Sequence, residues 1–213
     1  MNVPCIEKLT SIILKSKMKN IAIVFSMLIS LALKAQVIPT YETFSLKNGL
    51  KVYLLQYGNI PAINVKLVLN SGKVNETPGQ QNYSDIVSNA ILMGNAKYDA
   101  ESQSNKAFAL GTVLSASSSN DNTTVEMNIL TKDLDAGMDL MSAAVLTPTF
   151  PKDKIDLLIS RNIDFNSPTK MDIAELSSVF SNYSIFGLSN PLGRYFYKTQ
   201  IQKITPVIIK EYY

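Results

Sequence analysis

Ser84, Asp85, Ser88 and Asn89 are polar residues of this 213-residue chain whose spacing groups them. Around them Tyr83, Ile86, Val87, Ala90 and Ile91 repeat at helical spacing, which sets Ser84, Asp85, Ser88 and Asn89 on the other face of one helix. That face presents a carboxylate, hydroxyls and a carboxamide. A serine nucleophile also needs an adjacent base and oxyanion donors, and a paired-carboxylate site needs two acids at a defined separation; the sequence shows neither constellation. The chain has no histidine, which removes imidazole acid–base catalysis, Ser–His and Cys–His nucleophile pairs, and zinc sites built on imidazole. Its single cysteine, Cys5, permits neither an intramolecular disulfide nor a Cys-x-x-Cys site. On composition and spacing alone these residues read as a solvated helix face.

The elements that must position such a helix are legible from composition and pattern. With 46% hydrophobic and 17% charged residues, nine Gly and nine Pro, the chain has the balance of an ordinary globular domain rather than a disordered, collagenous or disulfide-stapled one. Lys15, Lys17 and Lys19, an apolar run from Ile21 to Leu33, and Ala35 follow the order of a secretory signal peptide, so 1–35 is expected to be a removable leader, with Met18 as a possible start. As a helix that thirteen-residue run spans about 20 Å against about 30 Å of hydrocarbon, which disfavours a stable membrane anchor. The leader takes 5 of the 20 basic and 1 of the 17 acidic residues, leaving 15 and 16, a net charge of −1. A near-neutral mature chain without a Lys/Arg cluster offers no electrostatic footprint for nucleic acid.

In the mature chain, Thr43–Leu46 and Leu50–Leu55 flank the Asn48-Gly49 turn and predict a hairpin, and Ile63, Val65, Leu67 and Leu69 predict one face of a third strand. The helix at Tyr83 follows, then a short helix over Ala100–Leu110 stopped by Gly111. Thr112–Ser117 and Thr123–Leu130 predict a second hairpin across a polar turn. Three helical stripes come last: Leu134, Met138, Met141 and Val145; then Ile155, Leu158, Ile159 and Ile163 after Pro151; then Ile173, Leu176, Phe180 and Tyr183. The methionines read as core filler. Strands followed by helices indicate an α+β fold, a layered sheet with flanking helices.

The order of segments resembles the insulinase/pitrilysin family of zinc peptidases, which includes the mitochondrial processing peptidase and its non-catalytic partner subunits. The resemblance rests on Leu46-Lys47-Asn48-Gly49-Leu50-Lys51-Val52, Ser71-Gly72 with Glu76, Met93-Gly94-Asn95-Ala96-Lys97-Tyr98, Phe150-Pro151, Asn190-Pro191-Leu192-Gly193-Arg194, and Ile204-Thr205. It covers almost all of the mature chain and implies the first lobe of such a peptidase, 36–213, incomplete at its C-terminal end. Active members carry His-x-x-Glu-His on the helix before the Met-Gly-Asn segment, where two imidazoles one turn apart grip zinc and the Glu activates its water. The aligned positions here are Asp85, Ser88 and Asn89, poor substitutes for imidazoles and a carboxylate base. The family's third ligand is a Glu after Phe150-Pro151; Asp153, Asp156 and Asp164 lie in that region, but no Glu occurs between Pro151 and Ala174.

The expectation is a catalytically inactive homologue that binds no zinc and no other cofactor, exported to the periplasm or outside the cell. It would serve as a non-catalytic subunit beside a histidine-bearing family partner. In active relatives an extended peptide adds as a strand to a sheet edge beside the zinc helix, a mode carried by backbone hydrogen bonds. The aligned edge is Leu114-Ser115-Ala116-Ser117, with an ordinary internal strand as the alternative. An enzyme with different chemistry at Asp85, Ser88 and Asn89, and a plain binding module without a peptidase partner, are the competing readings.

Overall fold

Asn48 and Gly49 make the turn their sequence marks. Gly49 takes φ +86°, a left-handed conformation that glycine adopts without a Cβ penalty, and Asn48 Oδ1 accepts the Leu50 N–H at 3.1 Å. The turn joins β1 (Tyr41–Ser45) to β2 (Lys51–Leu55), antiparallel with Phe44 opposite Val52. In this computed structural model, residues 39–165, 171–195 and 198–213 are described, so the expected leader, 1–35, lies outside the described residues. The chain divides into two compact units, 1–59, which holds this hairpin, and 60–213.

In the second unit β3 (Ala62–Leu69) alternates half-buried Ile63, Val65, Leu67 and Leu69 with exposed residues, the period-2 pattern of a strand covered on one face. It pairs antiparallel with β5 (Thr123–Leu130), which pairs antiparallel with β4 (Ser115–Ser118), so the order is β3-β5-β4. β4 is thus an edge strand among the described residues, not an internal one. It begins later than expected: Thr112 and Leu114 precede it, both buried.

Helices cover the apolar face of this sheet. α1 (Tyr83–Ala90) buries Ile86, Val87 and Ala90 and lies nearest to β4; α2 (Ala100–Ala109) starts at an Asp99 cap that accepts the Ser102 N–H at 2.7 Å, and Gly111 ends it at φ +65°. α3 (Leu134–Leu146) packs on β5 with Leu140, Met141 and Ala144 buried and not Met138, which is 44% exposed. The stripe is offset because Gly137 lets α3 approach β5, where a Cβ would strike Ile129 and Met127. Met127 and Met141 are core, as expected. α4 (Lys152–Phe165) buries Ile155 and Ile159, with Leu158 and Ile163 packed against the core.

The third expected stripe is a departure. α5 (Ile173–Phe186) is well capped by Asp172 and Glu175, yet Ile173 is 84% and Phe180 63% exposed. Its main neighbour is the 3-10 turn Pro191–Gly193, too small to cover a four-turn helix. The short α6 (Lys198–Ile201) and α7 (Pro206–Tyr212) follow, the latter placing Ile209 in the core. Among the described residues no helix is long and apolar enough to cross a membrane.

Candidate functional site

The start of α1 is held by a side chain from the preceding loop. Asn82, at the N-cap, sits at φ +71° and gives no side-chain cap. Glu76, buried, accepts instead: its Oε2 takes the Asn82 N–H at 3.1 Å, and its Oε1 takes the Ser84 N–H at 2.9 Å and the Ser84 hydroxyl at 2.6 Å. These donors are the unsatisfied groups of a helix N-terminus, which favours a negative partner. Burial raises the Glu76 pKa above its ordinary value; the Ser84 and Asn82 hydrogen bonds pull it back in part, and neighbouring Asp85 adds to the rise.

Around this carboxylate stand groups from distant parts of the chain. Asp85 pairs with the Lys73 ammonium at 3.2 Å, and Lys73 belongs to a 3-10 turn, Lys73–Asn75, that bonds the β4–β5 turn through Lys73 N–H to Ser119 O and Val74 N–H to Asn120 O. Tyr83 packs edge-on against Tyr212 of α7 with centroids 5.6 Å apart. The Tyr212 hydroxyl is buried without a hydrogen-bond partner among the described residues, and burial together with the Glu76 and Asp85 charges pushes its pKa up to about 12, which nearby Ser71 only softens. Arg194 donates to Glu76 O at 2.6 Å, Leu188 O at 3.2 Å and Ser189 O at 3.0 Å, tying the loop after α5 to this one.

The three motif positions do not form the shared polar face expected from periodicity. Asp85 is half-buried and Asn89 exposed, but Ser84 and Ser88 are buried, at 3% and 1% exposure. Ser88 Oγ donates to Asp85 O at 2.9 Å, and Asn89 Nδ2 donates to the same carbonyl at 2.8 Å. A small hydroxyl satisfied by its own helix can enter the core without an orphan polar group, which the periodicity of α1 does not reveal. In the third-ligand region Asp156 pairs with Lys152 at 2.6 Å and Asp153 with Lys154 at 3.8 Å; Asn162 is the α4 residue that meets the start of α1, accepting from Asn82 Nδ2 at 3.1 Å. Asp164 is exposed.

The proposed edge is only partly as expected. Ser115, Ala116 and Ser117 lie on the edge strand beside α1, together with Ser118, whereas Leu114 is core. Pairing puts Ala116 beside Val125 and Ser118 beside Thr123 on the face that carries α1, with Ser115 and Ser117 on the other. Among the described residues β4 pairs on one side only, leaving backbone donors and acceptors on the other, and none of its side chains is large enough to obstruct an approaching strand.

The sequence profile described as Insulinase (Peptidase family M16) matches residues 52–167. The chain belongs to the insulinase family. Its fold resembles the inactive peptidase M16 domain from Pseudomonas fluorescens (TM-score 0.74, 18% identity, covering 81% of this chain and 42% of that one). It also resembles a protease from Helicobacter pylori (0.71, 18%, covering 82% and 43%) and the periplasmic protease PqqL from Escherichia coli (0.68, 16%, covering 83% and 19%). The chain thus spans less than half the length of each. No curated protein matches it.

The residues of this insulinase-family site do not fit the family's zinc. The first motif position is a carboxylate already paired with an ammonium, the second a buried hydroxyl donating to its own helix, and the third a carboxamide. Among the described residues no group of three or more His, Cys, Asp or Glu side chains could hold a metal ion. Sequence reasoning quoted Glu76 and Arg194 without their roles and missed Lys73 and Tyr212. Asn82 is itself a favoured N-cap residue by type, so the sequence does not mark Glu76 as the acceptor that takes its place, and nothing local marks a tyrosine that arrives from α7.

Proposed function

We propose that this chain is a non-catalytic insulinase-family subunit that holds an extended peptide along β4 and helps a histidine-bearing family partner enclose it. The observation that carries the reading is the open edge of β4 beneath α1, on a helix whose motif positions retain neither imidazole nor carboxylate base. Strand addition draws its affinity from backbone hydrogen bonds and persists without catalytic side chains. Loss of a general base alone costs about 10²–10⁴ in rate, before metal activation of water is counted. Export to the periplasm or beyond fits the leader pattern at 1–35, and PqqL is a periplasmic relative in fold.

The test is to exchange the purified chain into zinc buffer, count bound metal, challenge it with a broad fluorogenic peptide panel, and follow amide hydrogen exchange as peptides are added. The expected result is no stoichiometric zinc, no cleavage, and slowed exchange over 115–118. One zinc per chain that is lost in Asp85→Ala, or peptide hydrolysis that survives repurification, would overturn it. Pull-down from the native organism should recover a His-x-x-Glu-His homologue; peptide protection without that partner leaves the plain binding module. An amino terminus at Gln36 by mass spectrometry supports export, and an intact Met1 or Met18 refutes it.

A further inference from the structure

The mismatch between this site and a zinc ion has a specific form, because the Asp85 carboxylate already holds a positive charge of the chain's own. Lys73 is bonded at both ends, with its side chain 39% and that of Asp85 28% exposed. Its backbone N–H is bonded to Ser119 O at 3.1 Å at the end of the β4–β5 hairpin, and its ammonium reaches Asp85 on the first turn of α1 at 3.2 Å. The backbone there cannot drift outward without losing its partners, and at the adjacent Gly72 a Cβ would stand 2.6 Å from Asn120 O and 2.7 Å from Asn122 N, so the loop is pressed onto the turn. Among the described residues the start of α1 brings together two carboxylates, Glu76 and Asp85, and the Lys73 ammonium; the Arg194 guanidinium is turned to three backbone carbonyls. Tyr212 brings a neutral hydroxyl.

We propose that the Lys73 ammonium takes the electrostatic place of a metal ion at the first motif position, clamping α1 to the β4–β5 turn and competing with any divalent cation for Asp85. Lys73 is in this sense a positioning residue, since it sets how α1 stands over the β4 edge. An ammonium supplies one positive charge and three N–H donors without ligand geometry, so it can serve where a single carboxylate remains and two imidazoles are gone.

Two measurements separate this role from an ordinary surface ion pair. In the first, Lys73→Ala lowers Tm by about 1–4 °C. Methylammonium chloride restores at least about half of the loss; tetramethylammonium chloride at matched concentration, which has no N–H, does not. Wild type and Lys73→Ala/Asp85→Asn do not respond. In the second, Asn89→His places an imidazole one turn from Asp85, and cobalt(II) binding is read from its absorption spectrum. Adding Lys73→Met, which keeps the apolar stem, tightens cobalt binding at least about tenfold. Equal cobalt affinity with and without Lys73, or a methylammonium response that persists without Asp85, overturns the proposal. Should Lys73→Ala fail to fold, the Met and Arg variants carry the thermal comparison, Arg keeping most of the wild-type Tm and Met losing it.

Discussion

Glu76→Ala should be the most damaging single change near the site. It removes three hydrogen bonds: from Asn82 N–H at 3.1 Å, Ser84 N–H at 2.9 Å and Ser84 Oγ at 2.6 Å. The hydroxyl can turn to another acceptor, but the two backbone donors belong to a helix start with no side-chain cap, and Ser84 is buried. The buried Ser84 N–H left unpaired costs about 1–3 kcal/mol, and the part-buried Asn82 N–H, which water can reach, adds up to about 2 kcal/mol, giving about 1–5 kcal/mol. Against this, removing Glu76 also removes the desolvation of its ionised form, so about 1–4 kcal/mol is expected at neutral pH. Glu76→Gln keeps the shape and one accepting oxygen for Ser84 but turns an N–H toward the Asn82 N–H, for about 1–2 kcal/mol. Urea denaturation followed by far-UV circular dichroism gives both values, with an unchanged m-value as the control for a comparable unfolded state. A loss below about 0.5 kcal/mol for the alanine variant would refute the capping role. The pH dependence has a definite sign. Burial raises the folded-state pKa of Glu76 above its ordinary 4.5, so the folded state binds the proton more tightly. The advantage of wild type over Glu76→Gln is therefore fully present below about pH 4.5 and declines as pH rises through the folded-state value. An advantage that grows with pH across that window would show that burial does not dominate.

Gly72→Ala should destabilise by about 1–3 kcal/mol, because its Cβ would meet backbone atoms of Asn120 and Asn122 that have no rotamer to escape through; thermal unfolding checks it. Tyr212→Phe should be neutral or stabilising by up to about 1 kcal/mol in urea, since it deletes a buried hydroxyl with no hydrogen-bond partner among the described residues. Arg194→Ala should cost about 1–3 kcal/mol, and hydrogen exchange should quicken both near Glu76 and at 188–189, because one guanidinium serves carbonyls in both segments.

The sequence by itself determined the elements and the chemistry that is missing. Alternation at Ile63–Leu69, the Asn48-Gly49 turn, the Gly111 stop of α2, and the apolar repeat of α1 are local signals, and each element formed where its signal lay. The lack of histidine is likewise a property of the string alone, as is the lack of a Glu between Pro151 and Ala174. What the tertiary structure decided is which polar groups are buried and what meets them. Ser84 and Ser88 entered the core because Glu76 and a helix carbonyl satisfy their hydroxyls. Met138 stayed outside because Gly137 brought α3 closest to β5, and the α5 stripe stayed exposed because its main neighbour among the described residues is a short turn. The position of β4 at an edge and the meeting of Lys73, Glu76, Asp85, Arg194 and Tyr212 depend on contacts between residues far apart in sequence, and no periodicity within one element encodes them.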